Sequence, residues 1–182
     1  MYVDIFTTKN KYKTIYADPP WMERGGGKIK RGADKHYSLM SVEEISKLPV
    51  KNLIHEDGCH LYLWVTNNFL EDAFYVIKKW SFECVTTITW MKDKIGLGQY
   101  YRGLTEHCLF CATKKRLPYK FNENGKRMQG VTGFLSTKSI HSKKPEEMAK
   151  MIEKVSYSPR IELFATDKRE NWDCFGFDVE RV

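Results

Sequence analysis

Short β-branched and aromatic runs alternate with amphipathic stretches along this chain, and that alternation leaves few folds open. The clearest strand is 59–65 (CHLYLWV), apolar or aromatic almost throughout and so expected at the centre of a sheet. Thr14-Ile15-Tyr16-Ala17, 84–90 (CVTTITW), 107–113 (HCLFCAT) and Ile161-Glu162-Leu163-Phe164 read as further strands, and residues 1–5 as a short extended segment. Ser41-Val42-Glu43-Glu44 has capping-box spacing and opens a short helix through Lys47. Thr66-Asn67-Asn68 is expected to cap a second helix, with Leu70, Ala73, Phe74 and Ile77 as its apolar stripe. Pro145 suits the first position of a third, in which Met148, Met151, Ile152 and Val155 recur at helical spacing. The methionines there read as core filling. The expected architecture is α/β, a doubly wound and mainly parallel sheet whose ligands sit outside the carboxyl ends of the strands.

At 182 residues, with no repeat, low-complexity tract or linker, the chain is expected to be a single domain over 1–182. Its formal charge of +7 and pI near 9.1 favour a polyanionic partner such as nucleic acid. No stretch has the apolar length of a membrane span and the first residues lack a signal-peptide pattern, so an intracellular, cytoplasmic protein is expected. Five cysteines, odd in number and widely spaced, read as reduced core residues. Cys108 and Cys111 could suggest zinc. In a strand, however, residues three apart face opposite ways and cannot share a metal, and no second pair completes a ligand set.

The stretch that carries chemistry is Asp18-Pro19-Pro20-Trp21, directly behind the strand 14–17. Two prolines cannot continue a strand, since each lacks an N–H and has a fixed φ. The chain therefore leaves the sheet with a carboxylate, a backbone carbonyl and an aromatic face at one strand end. That equipment suits a planar base carrying an exocyclic amino group. The plain structural reading is a turn with an anchoring Trp. Three further segments are polar or aromatic and turn-rich. Residues 22–36 hold Gly25, Gly26 and Gly27 among Arg24, Lys28, Lys30, Arg31 and Lys35; they read as a lid whose cations touch phosphates, or as a solvated loop. Residues 92–105 hold Tyr100, Tyr101 and Arg102, available to stack or bind a backbone, and 116–133 are basic.

Asp18-Pro19-Pro20-Trp21 resembles the acceptor motif of the MT-A family of N6-adenine methyltransferases. His36-Tyr37-Ser38-Leu39-Met40-Ser41, Leu63-Trp64-Val65-Thr66, Glu106-His107-Cys108-Leu109, His141-Ser142-Lys143-Lys144-Pro145-Glu146 and Ile161-Glu162-Leu163-Phe164 match in the family's order. The resemblance implies an S-adenosylmethionine-dependent class I methyltransferase with a Rossmann-like, seven-stranded, circularly permuted sheet. The acceptor motif comes early, the cofactor strand late, and 161–164 lies beside 14–17. It implies that Asp4 and Ile5 contact the cofactor adenine and that Lys144 pairs with the methionine carboxylate, with Ser142 and Asp18 nearby. Thr166, Asp167 and Lys168 would lie near the ribose and Asp178 near the cofactor tail. Thr166-Asp167-Lys168 and Phe177-Asp178 depart from the residues the family commonly carries there; the acceptor side is intact.

The chemistry expected of such a site starts from an adenine amino nitrogen whose lone pair is delocalised into the ring. Asp18 and the Pro19 carbonyl would accept its two hydrogens, concentrating the lone pair and aiming it at the sulfonium methyl. Trp21 and Tyr37 would border a base that is unstacked or already single-stranded. Glu106, Arg102, Lys30 and Arg31 are the further substrate-side candidates. The expected enzyme is a site-specific or loosely specific DNA (adenine-N6)-methyltransferase of the bacterial or phage type, because the compact chain looks more like those members. RNA adenosine methylation is the alternative, and a non-catalytic nucleic-acid-binding subunit the second. Cytosine N4 chemistry would more typically carry Ser in place of Asp18 and Tyr in place of Trp21. The resemblance leaves room for a homodimer or a heterodimer with a related subunit.

Overall fold

Thr14–Ala17 (β1) is buried at every residue, as a four-residue β-branched and aromatic run demands when both faces of its sheet are covered. In the computed structural model, which describes residues 1–22, 39–96, 100–137 and 143–176, β1 lies inside a seven-stranded sheet. The other strands are His60–Val65 (β2), Phe82–Lys92 (β3), Thr105–Thr113 (β4), Gly133–Ser136 (β5), Arg160–Leu163 (β6) and Asp173–Phe175 (β7), in the order β5-β3-β4-β2-β1-β6-β7. β1 pairs in parallel with β2 and β6, β6 with β7, and β3 with β5. β4 alone is reversed, antiparallel to β2 and β3. The late strand β6 lies directly beside β1, with Ala17 opposite Leu163, so the permuted, mainly parallel α/β sheet is the fold observed.

Helices cover both faces. Val42–Lys47 (α1) and Leu70–Lys79 (α2) pack Ile45, Ala73, Val76 and Ile77 against Ile15, Ala17, Leu61 and Leu63. Glu146–Val155 (α3) packs Met148 and Ile152 against Tyr16, Tyr62, Trp64 and Trp90 on the opposite face. The alternation along β1 is thus read by two different cores, Ile15 and Ala17 on one side and Tyr16 on the other. The same holds for β4, where Cys108 and Cys111 enter opposite cores, so they cannot share a metal.

Three local expectations are corrected. The second helix starts at Leu70 after a 3-10 turn over Asn67–Phe69, with no side-chain cap from Thr66; the Asn67 amide is engaged by Thr105 and His107 of β4. This phase buries Val76 and leaves Phe74 43% exposed. Pro145 is the residue before the first turn of α3 rather than within it. Finally, β5 and β7 were not foreseen. Each is three or four residues long and gains its strand character from the neighbour it pairs with. Among the described residues no helix is long and apolar enough to cross a membrane.

Candidate active site

The parallel strands all end at one edge, and the reversed strand β4 begins there, so four elements deliver side chains to the same place. Asp18 follows β1, Lys92 ends β3, Glu106 is the second residue of β4, and Lys144 stands two residues before α3. Asp18 shares the sheet face of Tyr16, two residues earlier, which is the face α3 covers. It therefore leans toward Lys144, whose ammonium lies 3.0 Å from Asp18 Oδ2 and 3.2 Å from Glu106 Oε2. Glu106 also pairs with Lys92. Both ammonium groups stand over indoles, Lys144 5.4 Å from the Trp64 ring centre and Lys92 5.0 Å from that of Trp90.

Two carboxylates and two ammonium groups make this chain of ion pairs neutral overall, at exposures of 32% for Asp18, 16% for Glu106 and 20% for Lys144. Burial pushes the Asp18 carboxyl above the usual range; Lys144 draws it back, and the charge of Glu106 pushes it up again. Burial also opposes ionisation of Glu106, but Lys144 and Lys92 outweigh it and hold that carboxyl below its ordinary value. For Lys144, burial works against the charge, yet Asp18 and Glu106 override it and raise the ammonium above its ordinary value. Asp18 Oδ1 has no hydrogen-bond or ion-pair partner among the described residues.

The rest of the tetrapeptide is held by its own backbone. Trp21 N–H donates to the Pro19 carbonyl at 2.9 Å, and Met40 N–H donates to the Pro20 carbonyl at 2.8 Å. A carbonyl has two lone pairs, so Pro19 keeps one for a ligand. The Trp21 indole stacks on Phe69 with ring centres 5.7 Å apart and donates its N–H to the Trp64 carbonyl at 3.1 Å. The anchoring reading of Trp21 is therefore correct as structure, and a base could use only the ring face away from Phe69. Arg102, expected on the substrate side, is exposed, and its Nε donates to the Gly96 carbonyl of its own loop at 2.9 Å.

Where the cofactor is expected, Ala165 N–H donates to the Phe175 carbonyl at 3.0 Å, locking the loop after β6 to the end of β7. Gly176 makes this approach feasible: a Cβ there would lie 2.2 Å from the Ala165 carbonyl oxygen. Phe164, at the turn out of β6, has φ 63, a left-handed conformation that costs a non-glycine residue. Thr166, Asp167 and Lys168 follow on the surface, with Lys143 Nζ 3.1 Å from Asp167 Oδ2. The N-terminal segment runs alongside, Val3 N–H donating to the Cys174 carbonyl at 2.9 Å. Asp4 accepts from Phe6 N–H and Thr7 Oγ1 at 2.9 and 2.8 Å, while the Ile5 side chain is buried. Any ligand contact of Ile5 would thus come from its backbone. Tyr37, Lys30, Arg31, Ser142 and Asp178 lie outside the described residues.

Sequence reasoning missed Lys92. Its signal was weak but real: it stands two residues after Trp90, hence on the same strand face, and the partner of Trp90 across the ladder is Glu106. It also missed Arg169, which grips Glu146 at 2.6 Å and Glu162 at 3.2 Å and so ties the start of α3 to β6.

Residues 12–178 match the sequence profile of the MT-A70 family. The chain belongs to the MT-A70 family. It is 26% identical over 190 residues to the type II methyltransferase M.MunI of a Mycoplasma species, covering 94% of this chain and 79% of that protein. It is similar as well to the N(6)-adenosine-methyltransferase MT-A70-like protein of Drosophila melanogaster, 28% identical with 97% of this chain and 28% of the fly protein covered. A putative N(6)-adenosine-methyltransferase MT-A70-like of Medicago truncatula is 29% identical, with 94% and 27% covered. The chain thus spans about a quarter of these longer MT-A70 relatives. As a methyltransferase of the MT-A70 family, it works with S-adenosylmethionine as methyl donor.

Proposed function

We propose that this chain transfers the methyl group of S-adenosylmethionine to the N6 amino group of adenine in nucleic acid, DNA in preference to RNA. One observation carries the reading. A carboxylate at the tip of β1 has Oδ2 held by Lys144 and, among the described residues, no partner on Oδ1, and the adjacent Pro19 carbonyl has a lone pair beyond the one Trp21 N–H takes. Two acceptors fixed side by side match the two hydrogens of a single amino group, which a hydroxyl or a ring nitrogen could not satisfy.

The donor supplies an electrophilic methyl on a sulfonium; the protein supplies orientation and charge. Asp18 and Pro19 accept the amino hydrogens, turn the nitrogen lone pair out of ring conjugation and hold it on line. Positioning of this kind is worth up to about 7–11 kcal/mol of the barrier. Asp18 then stabilises the positive charge that develops on nitrogen. Trp21 borders the base with its free face, and Pro20 fixes the turn. Tyr37, Glu106, Arg102, Lys30 and Arg31 are the proposed substrate-side residues. On the donor side, the residues fit a ligand that carries both charges. Lys144 offers its cation to the methionine carboxylate, and Ser142, Asp4, Ile5, Thr166, Asp167, Lys168 and Asp178 are the other residues proposed for donor binding. Because Lys144 bridges Asp18 and Glu106, a donor carboxylate held there would share that cation with them.

DNA is favoured because the match with M.MunI runs over 79% of that protein. The RNA reading draws on adenosine, a ribonucleoside, in the names of the longer relatives. Pairing with a second copy or a related subunit rests on the resemblance alone. The test is methyl incorporation from labelled donor into DNA and RNA oligonucleotides of identical sequence. Greater incorporation into DNA is expected; equal or greater incorporation into RNA would reassign the substrate, and none into either would remove the activity.

A further inference from the structure

Beyond β4 the chain folds into a tight turn over residues 120–129. Asn122 N–H donates to the Lys126 carbonyl at 2.9 Å and Met128 N–H to the Lys120 carbonyl at 2.8 Å. At the tip, Asn122 Oδ1 accepts from the N–H groups of Asn124 and Lys126, and Gly125 takes φ 70. The turn is docked on the C-terminal end of α3. Lys120 N–H donates to the Val155 carbonyl at 3.0 Å, Lys120 Nζ to the Glu153 carbonyl at 3.1 Å, and Val131 N–H to Met151 Sδ at 3.4 Å. Gly130 permits this closeness, since a Cβ there would lie 2.9 Å from Met151 Sδ. The basic segment is therefore a preorganised element.

Between turn and helix opens a cavity of about 310 Å³ lined by Asn122, Lys126, Arg127, Met128, Gln129 and Lys154. Three cations and two side-chain amides face it, and no carboxylate does. Among the described residues, no acidic group lies within ion-pairing distance of Lys126, Arg127 or Lys154. Glu153, next to Lys154, is turned away and accepts from Trp172 Nε1 at 2.7 Å. Arg127 is held over the Tyr119 ring, 5.4 Å from its centre, so its guanidinium is presented rather than free to wander. Cations without carboxylates, in a concavity, fit a tetrahedral anion.

The cavity lies along the helix that carries the site's lysine. Lys144 stands just before α3, and Glu146 to Lys154 spans about 12 Å of that helix at 1.5 Å per residue. Successive phosphates of one duplex strand advance about 3.4 Å along the axis. We propose that this cavity is a backbone-phosphate seat, holding the phosphodiester strand of the substrate about three to four nucleotides from the catalytic edge. The proposal rests on the nucleic-acid reading above, and it assigns to the segment 120–129 a sequence-independent, positioning role.

The test uses the full chain and its triple variant Lys126→Gln/Arg127→Gln/Lys154→Gln. Anisotropy titrations against a labelled duplex of about 30 base pairs are run over a salt series. Each lost phosphate contact flattens the slope of log K against log salt by about 0.9, so a drop of about 2–3 is expected, with kcat at saturating DNA unchanged. An unaltered slope and Kd would overturn the seat. So would polyglutamate displacing the duplex equally well at matched charge, which would point to an acidic protein instead. The single variant Arg127→Gln carries the test if the triple variant does not fold, with an expected drop of about 0.9; no drop would again overturn it. Wild-type protein that binds DNA through this cavity yet methylates nothing would sink the proposed activity and leave the seat standing.

Discussion

Replacing Lys144 by Met removes the charge that joins two carboxylates while keeping the side chain's bulk. With the ammonium 3.0 and 3.2 Å from Asp18 and Glu106, each attraction is about 5 kcal/mol gross at an effective dielectric of about 20. Desolvation offsets much of that, and removing one partner of a buried pair costs about 3–5 kcal/mol. These side chains keep 16–32% exposure, so water screens the loss to about 2–3 kcal/mol near pH 8. For a chain of this size that lowers Tm by about 4–12 °C. The deficit depends on pH, and its sign follows from Asp18. Its folded pKa is already raised, by burial first and by Glu106 as well, with Lys144 pulling the other way. Without Lys144 it rises further. A carboxyl whose folded pKa exceeds its unfolded value of about 3.9 destabilises the fold at high pH and ceases to do so as pH falls toward that value. Lys144, raised in the folded wild type, stays charged throughout this window. Urea denaturation of wild type and Lys144→Met at about pH 8 and pH 5 is therefore expected to give a deficit that shrinks markedly on acidification. A deficit of the same size at both pH values, or none, would refute the ion-pair reasoning.

Other outcomes follow from the same geometry. Gly176→Ala would push a Cβ to 2.2 Å from the Ala165 carbonyl oxygen; a stability loss of at least about 1–3 kcal/mol, read by urea denaturation, is expected, with weakened donor binding by calorimetry, and unchanged binding would detach that loop from the donor site. His60 is buried between Ser156 Oγ at 2.8 Å and the Leu117 carbonyl at 2.9 Å, and burial depresses its pKa against the opposing pull of that carbonyl. The unfolded chain then takes up a proton below about pH 6.5 that the folded chain refuses, so stability falls with pH at up to about 1.4 kcal/mol per unit. His60→Gln should flatten that dependence in urea titrations between about pH 7 and pH 5; an equally steep curve would clear His60. In the pH–rate profile, the acidic limb should lie above the ordinary aspartate range because Asp18 is raised, and a limb at or below that range would contradict its role.

Most of the fold was legible because its central strands carry their own signal. Thr14–Ala17 and His60–Val65 are mostly β-branched, aromatic or aliphatic and are buried at every residue, and Met148, Ile152 and Val155 announce the buried face of α3. The edge strands β5 and β7 were not legible, since nothing in Gly133–Ser136 or Asp173–Phe175 distinguishes strand from loop until a neighbour supplies the ladder. At the site, Asp18 and Lys144 were legible by motif, and the structure brings them together. Their joining through Glu106 to Lys92 was not, because it depends on the register of β3 against β4. Trp21 was legible as an aromatic at the strand tip, but its stacking on Phe69 is a fact of packing.

The central claim is that Asp18, with one oxygen pinned by Lys144 and the other turned to the substrate, grips an adenine amino group. The direct measurement is to incubate wild-type protein and Asp18→Asn with mixed nucleic acid and labelled S-adenosylmethionine, digest to nucleosides and identify the modified one by mass. Wild type should yield N6-methylated adenine nucleoside, while Asp18→Asn should bind the donor and yield none. Label on another base, or undiminished N6-methyladenine from the variant, would contradict the account.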